Sequence, residues 1–416
     1  MKTIPFAPKW PRVARLSLAL VTVAGSIYAV AQPTQRYTVV DLGQVGPAPG
    51  QPYAIADNGL IGGEIVLTDP AVAHAALWLQ GKKKDIGSPG LGGPNSSVFG
   101  TNVWGQAVGQ ADTKTGDPNG EDFCGAKMLA ITDSGNTCVP FLWENGSMFP
   151  LPRLRNSAGK EGSNGQALKI NDWGLAAGTA ENGEVDKTCP GASVSAQRIE
   201  FKPVIWTGPY PGAQAHVHQL ATVDNDPDGI AFDVNRLNQV VGATGTCGPF
   251  NTVELNNLTP LHAVLWQNGK PTDLGNLGGD GKAFGIYATG VNDSGQVVGV
   301  SDTTGDASFH GFFWQRGRIT DLGTLKGDAY SLALAIDNHG MVLGTSLDAN
   351  FNLRAVLWHN GEPTDLNTLV PANSILDLQT ACSINDHGEI IGFAALKSNP
   401  NEFHAYLAKP VGSSGH

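Results

Sequence analysis

The stretch Val291-Asn292-Asp293-Ser294-Gly295-Gln296-Val297-Val298-Gly299 is the clearest copy of a unit that recurs along the chain. A second clear copy runs from Ile384 to Gly392. Degenerate copies start at Ile55, Thr101, Ile170, Val234 and Ile336. The last glycine of each copy, such as Gly299, is its closing glycine. Successive closing glycines lie about 55 residues apart on average, which is the length of one supersecondary unit in a repeat protein. The sequence therefore predicts a repeat architecture with one structural unit per copy.

Two further motifs follow the copies in a fixed order. One is His-Ala-x-Leu-Trp, as in His262–Trp266, and the other is Thr-Asp-Leu-Gly, as in Thr272–Gly275. The chain begins with a copy of the last motif, Val40–Gly43, and ends with a copy of the second, His404–Ala408. An open stack of repeats has no reason for this offset. A closed ring does, because the N-terminal strand then completes the last unit and leaves no free sheet edge.

Each unit is predicted to hold four strands, labelled A to D in chain order. Strand A ends at the motif asparagine, a tight Asp-x-Gly turn leads into strand B, and strands C and D carry the other two motifs. In the fourth copy Asn238 replaces the turn glycine, and asparagine is the next best residue for a positive φ. Strands B and C are apolar almost continuously, as in Ala263–Trp266, which indicates that both faces of each sheet are covered.

These patterns predict an all-β fold, a seven-bladed β-propeller with four-stranded blades. Tyr37–Gly43 is expected to join the last blade and close the ring. A ring of six or eight blades and a β-helix are the alternatives.

The combination of the three motifs resembles the HAF family of bacterial extracellular repeats, from about Tyr37 to Leu407. Copies two to four depart most from the pattern, and Val103, for example, stands in place of the motif aspartate. The resemblance implies an exported propeller of bacterial origin and no defined activity.

The N-terminal segment is typical of a signal peptide, with four basic residues before the apolar stretch Leu16–Val30 and an A-x-A cleavage site at Ala29–Ala31. An uncleaved anchor is the alternative. We expect a signal peptide at 1–31, the propeller at 32–410 and a disordered tail at 411–416. The mature chain is then secreted or periplasmic, without a membrane span.

Loss of 1–31 removes four Lys or Arg and no Asp or Glu, so the formal charge falls from −11 to −15. Such an acidic chain disfavours nucleic acid as a partner. We therefore expect a monomer that meets an extracellular glycan or protein.

Long connections between strands B and C occur in blades two, three and four, and together they hold four of the five cysteines. Long loops on one side of a rigid scaffold commonly carry function, so this end of the ring is the predicted ligand face. We expect disulfides Cys124–Cys138 and Cys189–Cys247, although three pairings of these four are possible, and Cys382 is left over.

Two charged residues occupy the position two before the motif asparagine in adjacent blades, Lys169 and Asp233. Strand A should line the central channel, so these side chains are expected to meet there. The pair is either a structural ion pair or a weak catalytic candidate.

The segment Asp224-Asn225-Asp226-Pro227-Asp228-Gly229 resembles the first half of a calcium loop. Asp224, Asp226 and Asp228 would supply hard oxygen ligands for Ca²⁺ at alternate positions, and no other cofactor is expected. A solvated acidic turn is the alternative.

Trp104 and Trp173 occupy the variable position of the A–B turn in blades two and three. They would stack on sugar rings or on a partner protein, or else pack on the neighbouring blade. The repeated histidines, such as His262, are expected to form hydrogen bonds between blades rather than a metal site.

A non-catalytic binding module outside the cytoplasm is the leading prediction of function. The alternatives are a polysaccharide hydrolase or lyase with its site at the channel mouth, and a structural component of the surface or matrix. A fold of this kind does not decide between them.

Overall fold

The structure is a computed structural model. It describes residues 37–46, 51–68, 71–87, 90–123, 134–189, 198–208, 215–248 and 258–412. These residues form seven four-stranded antiparallel sheets, so the predicted seven-bladed β-propeller is confirmed. The predicted signal peptide, Cys124 and the last four residues lie outside the described residues.

Six sheets each use four consecutive strands. The first holds β2 (Pro52–Ile55), β3 (Ile61–Thr68), β4 (Ala71–Leu79) and β5 (Lys82–Asp85). The second holds β6 (Gly92–Thr101), β7 (Ala107–Gly116), β8 (Asn136–Glu144) and β9 (Ser147–Pro150). The third holds β10 (Gly165–Ile170), β11 (Ala176–Val185), β12 (Ile199–Thr207) and β13 (His216–Gln219).

The next three sheets repeat this order. The fourth holds β14 (Asp228–Val234), β15 (Val240–Cys247), β16 (Leu258–Gln267) and β17 (Lys270–Asp273). The fifth holds β18 (Ile286–Val291), β19 (Val297–Asp302), β20 (Phe309–Gln315) and β21 (Arg318–Asp321). The sixth holds β22 (Tyr330–Ile336), β23 (Val342–Leu347), β24 (Leu353–His359) and β25 (Glu362–Asp365). Two single-turn 3₁₀ helices lie at Thr304–Asp306 and Leu366–Thr368.

The seventh sheet joins the two ends of the chain. It holds β26 (Leu376–Ile384), β27 (Ile390–Leu396) and β28 (Asn399–Pro410), with β1 (Tyr37–Gly46) as its outermost strand. Strand β1 pairs antiparallel with β28. The seventh sheet also contacts the first. Asp386, for example, donates its backbone N–H to Asp57 Oδ1 at 2.8 Å.

Every innermost strand shows a register shift near its middle, as between Ala288 and Gly290. A bulge of this kind bends the strand and turns its side chains toward a new direction. It also brings a carbonyl oxygen of strand A close to the motif's closing glycine on strand B. A Cβ on Gly299 would clash with the Tyr287 oxygen, and the closing glycines of the other six blades face the same clash.

The core lies between the sheets, as the continuous apolar strands predict. Val297 points to one side of β19 and Val298 and Val300 to the other, yet all three are buried. Strand D ends at the aspartate of the Thr-Asp-Leu-Gly motif, which is earlier than predicted. The next leucine, such as Leu274, leaves the sheet and packs into the seam between two blades.

Candidate functional site

The two ends of the ring differ in how they are built. The A–B turns lie at one end, which we call the turn face, and the B–C connections lie at the other, which we call the loop face. The turn glycines have positive φ, and Asn238 adopts φ +57° in the fourth blade, as predicted.

The motif asparagine joins neighbouring blades on the turn face. In the fifth blade Asn292 Oδ1 accepts hydrogen bonds from the turn N–H groups of Ser294 and Gln296, and its Nδ2 donates to Asp337 O in the next blade at 2.9 Å. Asn102, Asn171, Asn235 and Asn385 make the same bond to the following blade. The most recognisable part of the repeat is therefore a structural link and not a binding residue.

The residue after that asparagine forms a second ring of bonds. Its side-chain oxygen accepts the backbone N–H of the matching residue in the preceding blade. These bonds run from Asp386 to Asp57, from Val103 to Asp172, from Arg236 to Asp293, from Asp293 to Asn338 and from Asn338 to Asp386. Val103 and Arg236 carry no acceptor, so the series is interrupted in blades two and four.

Arg236 instead spans the mouth of the channel. Its guanidinium contacts Asp293 Oδ2 at 2.6 Å and Asp386 Oδ2 at 2.9 Å, which links blade four to blades five and seven. The hydrogen bond with Asp293 is the main influence that raises the pKa of Arg236. One guanidinium thus pairs with two carboxylates across the channel mouth.

Lys169 and Asp233 meet at this mouth, as predicted, with 3.8 Å between Lys169 Nζ and Asp233 Oδ1. They line a cavity of about 140 Å³. Asp233 also accepts the backbone N–H groups of Val234 and Val291, the latter from the next blade. Its carboxylate is therefore engaged in holding two blades together, which favours a structural ion pair over a catalytic one.

Trp104 and Trp173 are exposed, at 73% each, and do not pack flat on the neighbouring blade. Their indole N–H groups are nevertheless bonded to the turn of the next blade. Trp104 Nε1 donates to Asp172 O at 2.8 Å, and Trp173 Nε1 donates to Arg236 O at 3.0 Å. Each ring is therefore fixed at one edge while its faces remain open to ligand.

The two rings line one cavity of about 340 Å³, together with Gln106, Glu144 and Asp172. We call it the tryptophan groove. Gln106 Nε2 donates to Glu144 Oε1 at 2.9 Å, and the Gln106 oxygen in turn accepts from buried Asn102. The polar floor of the groove is thus anchored to the turn-face hydrogen bonds. Sequence reasoning found the tryptophans but missed Glu144, which no motif distinguishes.

The predicted calcium segment does not bring its three carboxylates together. Asp224 is 82% exposed, whereas Asp226 is buried and accepts from Thr244 Oγ1 at 2.7 Å. Asp228 is fully buried in β14, where it accepts the Phe201 N–H at 3.0 Å. Alternate residues diverge here because the loop ends and the strand begins at Asp228.

Buried carboxyl groups are concentrated near the loop face of blades two to four. Burial, with the neighbouring Glu181 carboxylate, raises the pKa of Glu121 to about 9, and Glu121 accepts the Arg198 and Ile199 N–H groups. Burial also raises the pKa of Asp228, helped by Asp186. These groups hold the bases of the long connections in place.

Cys189, in the connection after β11, and Cys247, at the end of β15, form a disulfide between blades three and four, as predicted. Cys124 lies outside the described residues, so the Cys124–Cys138 bond stays a prediction. Parts of the long B–C connections also lie outside them, and the predicted ligand face on these loops stays a prediction too.

The repeated histidines pair within blades, which corrects the expected bonds between blades. His262 on strand C contacts Asp273 on strand D at 2.9 Å, and the hydrogen bond with Asp273 raises the pKa of His262. The matching pairs are His74–Asp85, His310–Asp321 and His404–Asp41. Strands C and D are neighbours in one sheet, so the closest carboxylate is the motif aspartate of the same blade.

The seam between the first and seventh blades lacks one bond found elsewhere. Trp266 and Trp358 donate their indole N–H groups to backbone oxygens of the preceding blade, at 2.6 and 2.9 Å. Trp78 holds the same position in the first blade, but its buried Nε1 has no acceptor among the described residues. Trp78 lines a cavity of about 840 Å³ that also touches Leu42 of β1.

No family model matches the chain, and no curated protein matches it either. Solved structures do. The β-propeller domain of the trilobed protease from Pyrococcus furiosus is 10% identical, with a TM-score of 0.46 over 87% of this chain and 96% of that one. A fungal alcohol oxidase of the AA5 family, in complex with copper, is 11% identical, with a TM-score of 0.44 over 91% of this chain and 76% of that one.

A gluconolactonase from Xanthomonas campestris is 9% identical, with a TM-score of 0.36 over 91% of this chain and 92% of that one. These likenesses are too distant to bear on activity. Among the described residues, no helix is long and apolar enough to span a membrane.

Proposed function

We propose that the protein is a non-catalytic glycan-binding module that works outside the cytoplasm, with the tryptophan groove as its binding site. The observation that carries the proposal is the exposure of Trp104 and Trp173 on neighbouring blades around one cavity. Tryptophan is mostly buried in folded proteins, and a group of exposed apolar side chains is typical of an interaction site.

The fixed rings suit stacking on flat ligands. Each indole N–H is already bonded to the next blade, so neither ring loses much side-chain freedom when a sugar ring stacks on it. Gln106, Glu144 and Asp172 add polar atoms that can bond to hydroxyl groups. An apolar face beside polar edges is the surface that a saccharide also presents.

The cysteine usage supports the extracellular part of the proposal. The Cys189–Cys247 disulfide is of the kind that persists in oxidising compartments. The predicted signal peptide at 1–31, the resemblance to the HAF repeats and the monomeric state belong to the same proposal.

The test is a glycan array followed by titration calorimetry with the glycans that bind. W104A and W173A should each weaken binding by about five- to 150-fold, because the stacking of a ring on an aromatic side chain contributes about 1–3 kcal/mol. L237A is the matched control, since Leu237 holds the same turn position in blade four and is also exposed. Absence of any bound glycan, or tryptophan variants that bind like the wild type, would overturn the proposal.

The same glycans should be screened for cleavage. We expect intact ligand after incubation, because Asp233 at the channel mouth is engaged by two backbone amides. Cleavage that is lost in K169M would establish the polysaccharide-acting enzyme instead.

A further inference from the structure

We infer that the tryptophan groove selects glycans that carry free amino groups, such as polymers of deacetylated amino sugars. This inference rests on the proposed function, and it names the ligand class of the same site. The juxtaposition that carries it is two exposed tryptophans and two acidic residues, Glu144 and Asp172, that line one cavity.

The charge of the groove has one sign. Its lining includes Glu144 and Asp172 but, among the described residues, neither lysine, arginine nor histidine. The nearby guanidinium of Arg236 is directed elsewhere, since it bonds to Asp293 and Asp386 across the channel mouth. A ligand with ammonium groups would therefore meet acidic residues and no basic residue in the lining of this groove.

Both carboxylates are held in position rather than left to move freely. Gln106 donates to Glu144 Oε1, and the Val103 N–H donates to Asp172 Oδ1 at 3.2 Å. Each carboxylate therefore keeps one oxygen bonded to the protein. A ligand ammonium that bonds to such a carboxylate would therefore have less side-chain freedom to remove than at a mobile one.

Glu144 is particular to the blade that carries Trp104. It follows the tryptophan of strand C, and the residues at that position elsewhere in the chain are Leu79, Thr207, Gln267, Gln315, His359 and Lys409. Carboxylate and exposed turn tryptophan thus occur together in blade two only. The other blades have no carboxylate at this position, so the repeat scaffold does not need one. This points to a role for Glu144 in binding the ligand.

An ammonium gains from both parts of the groove. A cation over the face of tryptophan is attracted by the ring quadrupole, most strongly among the aromatic residues. Carboxylates beside the ring add a charge-assisted hydrogen bond. Acetylation of the amine removes its charge and cancels both contributions while leaving the sugar ring able to stack.

The experiment compares oligomers of glucosamine with matched oligomers of N-acetylglucosamine by calorimetry. The wild type should bind the deacetylated oligomer about tenfold more tightly, and the preference should shrink as salt is raised, because salt screens exposed charges. E144Q should abolish most of the preference, because the deacetylated oligomer loses a charge-assisted hydrogen bond whereas the acetylated oligomer loses only a neutral one. Glutamine occurs naturally at this position as Gln267 and Gln315, so the variant should fold.

The control is E362Q, which neutralises an exposed glutamate of β25 in the sixth blade and should bind like the wild type. Equal binding of both oligomers, or a preference that survives in E144Q, overturns the inference but leaves the proposed function standing. Loss of binding to both oligomers and to every glycan on the array overturns the proposed function itself. Oligolysine that binds more tightly than glucosamine oligomers, and that requires Trp104, would identify a basic peptide as the ligand and overturn the inference.

Discussion

Two glycines in the motif of the fifth blade meet different physical demands. Gly295 has φ +70°, the left-handed conformation of a tight turn, and its site is open enough for a side chain. Gly299 lies in a strand, where the bulged strand A brings the Tyr287 oxygen too close for any Cβ. Glycine is required at the first position by the backbone conformation and at the second by the close approach of another strand's carbonyl oxygen.

G299A should therefore lower the free energy of unfolding by about 3 kcal/mol, as overpacking in a close-packed region does. G295N should cost less than about 1 kcal/mol, because asparagine tolerates positive φ and replaces the turn glycine naturally at Asn238. Urea unfolding followed by circular dichroism measures both. Equal losses for the two variants would contradict the assigned roles.

At the scale of the strand, a charged pair links strands C and D in most blades. In four blades a histidine of strand C contacts the aspartate of strand D, and in the sixth blade Arg354 takes the histidine position beside Asp365. His404–Asp41 is special among them, because it joins the last strand of the chain to β1.

D41N tests how this pair responds to pH. Burial is the largest influence on His404 and lowers its pKa, but the hydrogen bonds with Asp41 and Glu402 outweigh it and raise the pKa. The pair therefore stabilises the fold fully below the unfolded histidine pKa of about 6.5, and this contribution is lost as pH rises through the folded pKa. D41N should cost about 0.5 kcal/mol more at pH 6 than at pH 9.

The matched control is D365N, whose partner Arg354 stays charged across this range. Its effect on the melting temperature should be the same at pH 6 and pH 9. A D41N penalty that does not change with pH would show that the interaction does not depend on the histidine charge.

At the scale of the whole molecule, β1 supplies the fourth strand that completes the seventh sheet. Without β1, β28 would expose a row of backbone donors and acceptors, and buried Tyr37 and Val45 would be lost from the core. The Trp78 N–H has no acceptor among the described residues, so this seam lacks a hydrogen bond that Trp266 and Trp358 make at theirs.

A chain that starts at Gln51 should melt several degrees below one that starts at Gln32, because the loss of a whole strand costs several kcal/mol and each kcal/mol lowers the melting temperature of a chain of this size by about 1 °C. It should also aggregate through the exposed strand. Calorimetry and light scattering provide the comparison. Similar melting of the two chains would show that the N-terminal strand is not needed to complete the propeller.

The sequence alone determined the repeat, the number of blades, the four strands of each blade and the positive φ of Asn238. These follow from local turn chemistry and from the spacing of apolar residues, which a chain displays before it folds. The meeting of Lys169 with Asp233 also followed, since equivalent positions in adjacent repeats become neighbours in a ring.

Tertiary structure alone decided what each motif residue contacts. The links from Asn292 to the next blade, the clash that demands Gly299 and the histidine pairs within blades all depend on distances between separate strands. The same is true of Glu144, which gains its place beside Trp104 and Trp173 only when blades two and three pack together. A linear pattern records which residues repeat, and only packing brings unrelated positions into one groove.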